Sequence, residues 1–300
     1  MKISQLGHGT WGMGDWTGTN LDAAVASLRK SVELGVTFFD TAHSYGGGLA
    51  EELLGCLLFE TPNDPLVIAT KIPPANHRLP ATGDDRFADT FPPEHVRACV
   101  QESCERIGIE SLDLAQLHVW HDAWVDDPLF ESVVRLIKGE GWARHVGISL
   151  NAGEPSNGLR AVRSGLIDTV QVAYNLLDQT AQLELLPLCQ ELNIGVIVRT
   201  PLDEGCLADN FDHQTHFPAD DWRATYFSGA GHIERLERLA DLRRAIGPEL
   251  ALSDIALQFC LAHPAVSTVI VGMRNEKHVM RNCMACETPI DFELLKRLGR

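Results

Sequence analysis

Residues 66–72 read "LVIATKI". Leu66, Val67 and Ile68 are apolar at consecutive positions rather than alternate ones. A strand of that kind is buried on both faces, as in a parallel sheet covered by helices. One charged residue, Lys71, stands near its end. Similar short runs recur at 35–40 ("GVTFFD"), 112–120 ("LDLAQLHVW"), 143–149 ("ARHVGIS"), 167–175 ("IDTVQVAYN"), 194–200 ("IGVIVRT") and 267–272 ("STVIVG"), with a weaker eighth at 4–11 ("SQLGHGTW").

Helical patterns lie between these runs. "LDAAVASLRKSVELG" places Ala24, Leu28 and Val32 on related faces. "PPEHVRACVQESCERIG" opens with prolines tolerated at a helix start and closes at Gly108. "DPLFESVVRLIKGEG", "LELLPLCQELN" and "LSDIALQFCLAHP" follow the same plan. About eight strand–helix repeats in 300 residues predict an α/β fold, a (β/α)8 TIM barrel, as one domain over 1–300. An open doubly wound sheet is the other arrangement. It needs a glycine fingerprint after its first strand, and "GHGTWGMG" has the wrong spacing.

The chain carries 41 acidic and 25 basic residues, a formal net charge of −16. So acidic a surface repels nucleic acid and anionic membrane, so neither is an expected partner. No apolar run approaches the roughly 18 residues of a membrane helix, and no signal-peptide pattern is visible, so a cytoplasmic location is expected. The eight cysteines are scattered and read as reduced thiols. Cys283/Cys286, His118/His121 and His213/His216 have pair spacings without a second half, and no metal site is expected.

In a barrel, sites form at the C-terminal strand ends. Asp40 ends the second strand, and Tyr45 follows it in "FFDTAHSYGGGLAEELLG" (38–55). Lys71 ends the third strand and His118 the fourth. Singly, each has an ordinary reading: a helix cap, an exposed ring, a snorkelling lysine, a hydrogen-bonded histidine. Together at adjacent strand ends they converge on one mouth.

At this point the sequence resembles the aldo-keto reductase family over nearly its whole length. The resemblance rests on "LGHGTWGMG", on 38–55, on Lys71 in "IATKI", on His118 in "LDLAQLH" and on "GIS" at 147–149. It continues in "QVAYN" at 171–175, "TPLDEGCL" at 200–207 and "VIVGMRNEKHVMRN" at 269–282. It implies a barrel with NADP(H), or NAD as the alternative, lying across the C-terminal mouth. It implies interconversion of an aldehyde, ketone or aldose with its alcohol. Tyr45 would be the general acid, Lys71 would stabilise its phenolate, Asp40 would hold Lys71, and His118 would orient the carbonyl. For the cofactor it implies Ser149 and Gln171 at the carboxamide, and Thr200, Leu202 and Gly205 along the pyrophosphate. Gly272, Arg274, His278 and Asn282 would serve the adenosine end, with Arg274 placed for a 2′-phosphate.

Four departures stand out: Leu150 rather than Asn follows Ser149, Arg199 stands where an aromatic often precedes "PL", His278 replaces Gln or Arg, and the N-terminal hairpin is expected to be missing or abbreviated. A non-catalytic, nucleotide-sensing partner subunit and an unrelated sugar-processing barrel are the alternatives. The oligomeric state is not legible. Trp11, Trp16, His43, Trp120 and His121 are candidate pocket walls for a small carbonyl or sugar substrate. Residues 201–231 are too long for an ordinary barrel connection and are expected to clasp the cofactor, mobile when empty.

Overall fold

The structure is a computed structural model describing residues 2–14, 20–208, 211–289 and 291–299. Eight strands are present among the described residues: β1 (Leu6–Gly9), β2 (Phe38–Asp40), β3 (Val67–Ile72), β4 (Leu112–Leu117), β5 (Ala143–Ser149), β6 (Thr169–Ala173), β7 (Gly195–Arg199) and β8 (Val266–Gly272). Each is hydrogen-bonded in parallel to its neighbours in sequence order, and β1 pairs with β8 to close the barrel. The eight runs read from sequence are these eight strands: six are trimmed at their ends, 143–149 is unchanged, and the last begins one residue earlier, at Val266.

Helices follow the strands and cover the barrel. Leu21–Glu33 is capped by the Asn20 side chain, which accepts from the Ala23 N–H at 3.0 Å. Pro93–Ile107 starts with proline and stops at Gly108, whose φ is 75°. Val96, Val100 and Ile107 on its inner side are buried in the layer between helices and sheet. No helix among the described residues is long and apolar enough to cross a membrane.

The barrel interior is built in layers because alternate strand residues point inward. Its lower layer is Phe38, Val67, Ala69, Leu114, Ile197 and Ile270, with Ile3 packed against it. Residues 2–5 form no strand, and Ser4 is tied to Thr37 by two hydrogen bonds of 2.8 and 2.9 Å. Gly7 keeps this layer tight: a Cβ there would stand 2.9 Å from both Ile270 Cγ2 and Phe38 Cδ1. Two residues further along the same strands, the inward positions are polar: Asp40, Lys71 and Gln116. The apolar lower layer thus gives way to a polar one beneath the mouth.

Candidate active site

Asp40 is the organising group. It is 2% exposed, and its Oδ1 accepts from Lys71 Nζ. Its Oδ2 accepts from Gln171 Nε2 at 2.7 Å and from Gln116 Nε2 at 3.1 Å. Gln171 also donates to Gln116 Oε1 at 3.2 Å. Lys71, 1% exposed, spends its remaining donors on the Thr41 carbonyl at 2.9 Å and the Tyr45 hydroxyl at 3.1 Å. A buried ion pair of this kind persists only when each partner is also hydrogen-bonded, and both are.

Tyr45 reaches Lys71 because of the three glycines behind it. Gly46, Gly47 and Gly48 have φ of 59°, 63° and 105°, a left-handed run that turns the chain into helix Leu49–Glu60. Gly46 also backs onto the loop after β1: a Cβ there would lie 2.7 Å from Gly14 Cα. His118 completes the group. Its ring meets Tyr45 edge-on at 5.9 Å, and its Nδ1 is buried with no hydrogen-bond partner among the described residues. Such an orphan is costly unless something else engages it.

The same barrel occurs in known proteins. A sequence profile of the aldo/keto reductase family matches residues 5–299. A D-threo-aldose 1-dehydrogenase from a Pseudomonas species is 30% identical, over 94% of this chain and 89% of that protein. An L-galactose dehydrogenase from Arabidopsis thaliana is 28% identical, over 95% and 85%. Among solved structures, the holo form of an aldo-keto reductase from Bacillus halodurans superposes with a TM-score of 0.77 at 26% identity, covering 99% of this chain and 93% of that one. A glycerol dehydrogenase from Gluconobacter oxydans gives 0.78 at 25%, covering 99% and 90%.

This chain belongs to the aldo/keto reductase family. It is an oxidoreductase working between carbonyl and alcohol, in a family that uses a nicotinamide cofactor.

The electrostatics of this aldo/keto reductase's tetrad follow from burial. Burial pushes the Tyr45 hydroxyl above the ordinary tyrosine value, and the Lys71 charge only partly opposes it. Tyr45 is therefore held as a phenol. Burial pulls Lys71 down, but Asp40 and Tyr45 outweigh it and the ammonium ends above the usual lysine value. His118 is lowered to about 3, first by burial and then by the charges of Lys71 and Arg199. Its imidazole is neutral and keeps one N–H to donate.

The residues matched to the cofactor are distributed around the mouth. Ser149 is buried at the end of β5, in register with Gln171. The Gln171 amide nitrogen is committed to Asp40, so this side chain is part of the tetrad's support as well. Thr200, Leu202 and Gly205 lie in a tight turn after β7, where Thr200, Asp203, Glu204 and Gly205 all have positive φ. The Thr200 carbonyl accepts from Asn175 Nδ2 at 2.9 Å. Gly272 ends β8 and is exposed, and Arg274, half-buried, lies along Gly12. His278 stands in the first turn of helix Glu276–Glu287, exposed, and Asn282 is buried one turn on. Ideal Cβ atoms on Gly205 and Gly272 meet nothing within 4 Å, so open backbone flanks the mouth on both sides.

Of the described candidate walls, only Trp11 has a ring contact with Tyr45, with ring centres 6.5 Å apart. Trp120 is fully buried against Phe130 and Trp124, so it belongs to the core and not to the pocket. His43 pairs with Glu102 at 2.8 Å. His121 borders a separate cavity of about 540 Å³ between Pro80–Gly83 and Glu154–Asn157, which no tetrad residue lines. Trp16 lies outside the described residues.

Sequence reading missed Gln116, although "LDLAQLH" sets Leu114, Gln116 and His118 at alternate positions. It also missed Trp222, whose ring lies 5.2 Å from Trp11. Trp222 arrives on the 201–231 segment. Its described part contains a short helix, Arg223–Tyr226, and is fastened at Asp203, which accepts from Tyr226 Oη at 2.8 Å and Arg235 Nε at 2.7 Å.

Proposed function

We propose that the enzyme transfers hydride between NADP(H) and an aldehyde, ketone or aldose, with Tyr45 as the proton donor to the carbonyl oxygen. The observation that carries this is the Tyr45 hydroxyl on a buried Lys71–Asp40 pair beside a neutral His118 whose Nδ1 has no hydrogen-bond partner among the described residues. Nicotinamide, when bound, supplies or accepts the hydride at carbon. Tyr45 gives its proton to the developing alkoxide and takes it back in the reverse direction. Lys71 lowers the cost of the transient phenolate, and Asp40 keeps that ammonium charged and aimed. His118 donates to the carbonyl oxygen and so orients it.

The mouth suits a dinucleotide. Ser149 and Gln171 would meet its carboxamide. Thr200, Leu202 and Gly205, in the turn after β7, would follow the pyrophosphate. Gly272, Arg274, His278 and Asn282 would hold the adenosine end, with Arg274 on a 2′-phosphate. A relative from Escherichia coli, 30% identical over 69% of this chain, is an NADH-specific methylglyoxal reductase, so the Arg274 fork is what favours the phosphorylated cofactor here. The two sugar dehydrogenases among the relatives support an aldose as substrate, oxidised at its hemiacetal carbon. Trp11, which faces Tyr45, and Trp222, packed against Trp11, offer flat apolar faces for a sugar ring. The whole chain, 1–300, acts as one catalytic domain on a small molecule. A non-catalytic nucleotide sensor would not require an intact proton-donor cluster.

The test is Tyr45→Phe against the parent, with aldoses and aldehydes, in both directions, and with all four nicotinamide nucleotides. Turnover is expected to fall by about a thousandfold or more while nucleotide affinity holds. Turnover within a few-fold of the parent would remove Tyr45 from this role. Arg274→Ala is expected to weaken NADPH more than NADH.

A further inference from the structure

The alternation that places Asp40, Lys71 and Gln116 over the lower layer also operates on β7. Ile197 belongs to that layer, and Arg199 is two residues further on. Arg199 therefore points inward at the mouth. Its Nη2 donates to the Leu150 carbonyl at 3.0 Å, just past the end of β5. The side chain thus spans from β7 across the end of β6, whose Ala173 is its register partner. This is its one hydrogen bond among the described residues, and no carboxylate there lies within ion-pair distance.

Burial pulls the guanidinium below the ordinary arginine value, yet arginine stays charged in proteins. Its field is felt at both Tyr45 and His118. The carboxylate that opposes it most is Glu204, held on a left-handed backbone with φ of 55° and not within ion-pair distance of it. A half-buried cation without a matching carboxylate is expensive to keep. Residues held in strained conformations beside it are a feature of working sites.

The reaction supplies a use for that charge. A carbonyl, a reduced nicotinamide and the Tyr45 proton give an alcohol and an oxidised nicotinamide. The hydride carries both electrons from ring to carbon. The ring is neutral when reduced and carries one positive charge when oxidised. Hydride transfer requires the ring to lie within contact distance of a carbonyl whose oxygen is on Tyr45, and so within the field of Arg199. We infer that Arg199 biases this site toward the reduced nicotinamide, binding it in preference to the oxidised form and so tuning the enzyme for carbonyl reduction. The inference rests on the hydride-transfer reading above and adds a redox preference to it. It gives β7 a role in direction, since the same cation also favours negative charge building on the carbonyl oxygen.

Calorimetric titration of parent, Arg199→Met and Arg199→Lys with the reduced and oxidised nucleotide, each alone, tests it without turnover. The cofactor pair is whichever the parent binds more tightly. The parent is expected to prefer the reduced form. Arg199→Met is expected to move the ratio of the two dissociation constants toward the oxidised form by about tenfold or more, and Arg199→Lys to restore most of it. Glu204→Gln, at pH 8, is expected to move the ratio the opposite way, and it keeps the inference testable if Arg199→Met fails to fold. Equal weakening of both forms in Arg199→Met would make Arg199 a simple contact and overturn the inference. An unchanged ratio, with altered KM only for acidic substrates, would place the charge on the substrate instead and also overturn it. A parent that binds neither nucleotide would defeat the hydride-transfer reading itself, an outcome distinct from a ratio that does not move.

Discussion

Replacing Lys71 by Met removes the cation from Asp40 without opening a large cavity. Both groups are almost fully buried, at 1% and 2% exposure. In the variant, Oδ2 of Asp40 keeps its two amide donors, Gln116 and Gln171. Oδ1 loses Lys71, its one partner among the described residues. The Thr41 carbonyl loses its donor as well. Breaking a buried ion pair on one side costs about 3–5 kcal/mol, because a charge is left uncompensated. The two surviving amide bonds place the expected loss near the lower end, about 3 kcal/mol. The cost is this large because the pair is dry, which sequence alone does not reveal. Adding Asp40→Asn removes the stranded charge. The double variant is expected to regain about 2 kcal/mol over Lys71→Met while remaining inactive. Urea unfolding followed by far-UV circular dichroism, with turnover measured on the same samples, checks both points. A loss below about 1 kcal/mol in the single variant, or no recovery in the double, would refute the argument that the pair is a closed, mutually dependent unit.

Three further outcomes follow from the geometry. The His118 ring, held at about 3, is expected to show no titration between pH 5 and 8 by NMR, and a midpoint near neutrality would contradict its neutral role. Glu204 is lifted from 4.5 to about 7, by burial first and by Asp203, against the pull of Arg199 and Arg223. Folding then favours its protonated form, so the parent loses stability as pH rises from about 4.5 to 7. Glu204→Gln should gain on it across that window, by roughly 3 kcal/mol at most, and level off above. Urea midpoints that differ by the same amount at pH 5 and pH 8 would exclude this. Gly46→Ala and Gly47→Ala share the left-handed strain, but only Gly46 meets a neighbour, Gly14 Cα at 2.7 Å. Thermal unfolding should show Gly46→Ala the less stable by about 1–3 kcal/mol, with lower turnover because Tyr45 follows the loop; equal effects would deny the close approach.

The sequence alone was enough for the barrel and for four of its mouth residues, because those signals are local. Consecutive apolar residues mark strands covered on both sides, and the last residues of such strands must face the C-terminal mouth. Asp40 and Lys71 could be read in that way without any knowledge of their partners. Trp120 could not. It sits two residues after His118, but β4 has ended at Leu117, so alternation no longer decides its direction and the chain turns it into the core. Gln171 joins Asp40 across 131 residues, and Trp222 comes to Trp11 at the end of a long excursion. Arg199 crosses to Leu150 only once β5, β6 and β7 are side by side. Closure of the barrel brings these groups together, and no local pattern encodes it. The dryness of the Lys71–Asp40 pair, the neutral His118 and the stranded charge of Arg199 are all consequences of that closure, since burial is a property of the assembled sheet and not of any strand within it.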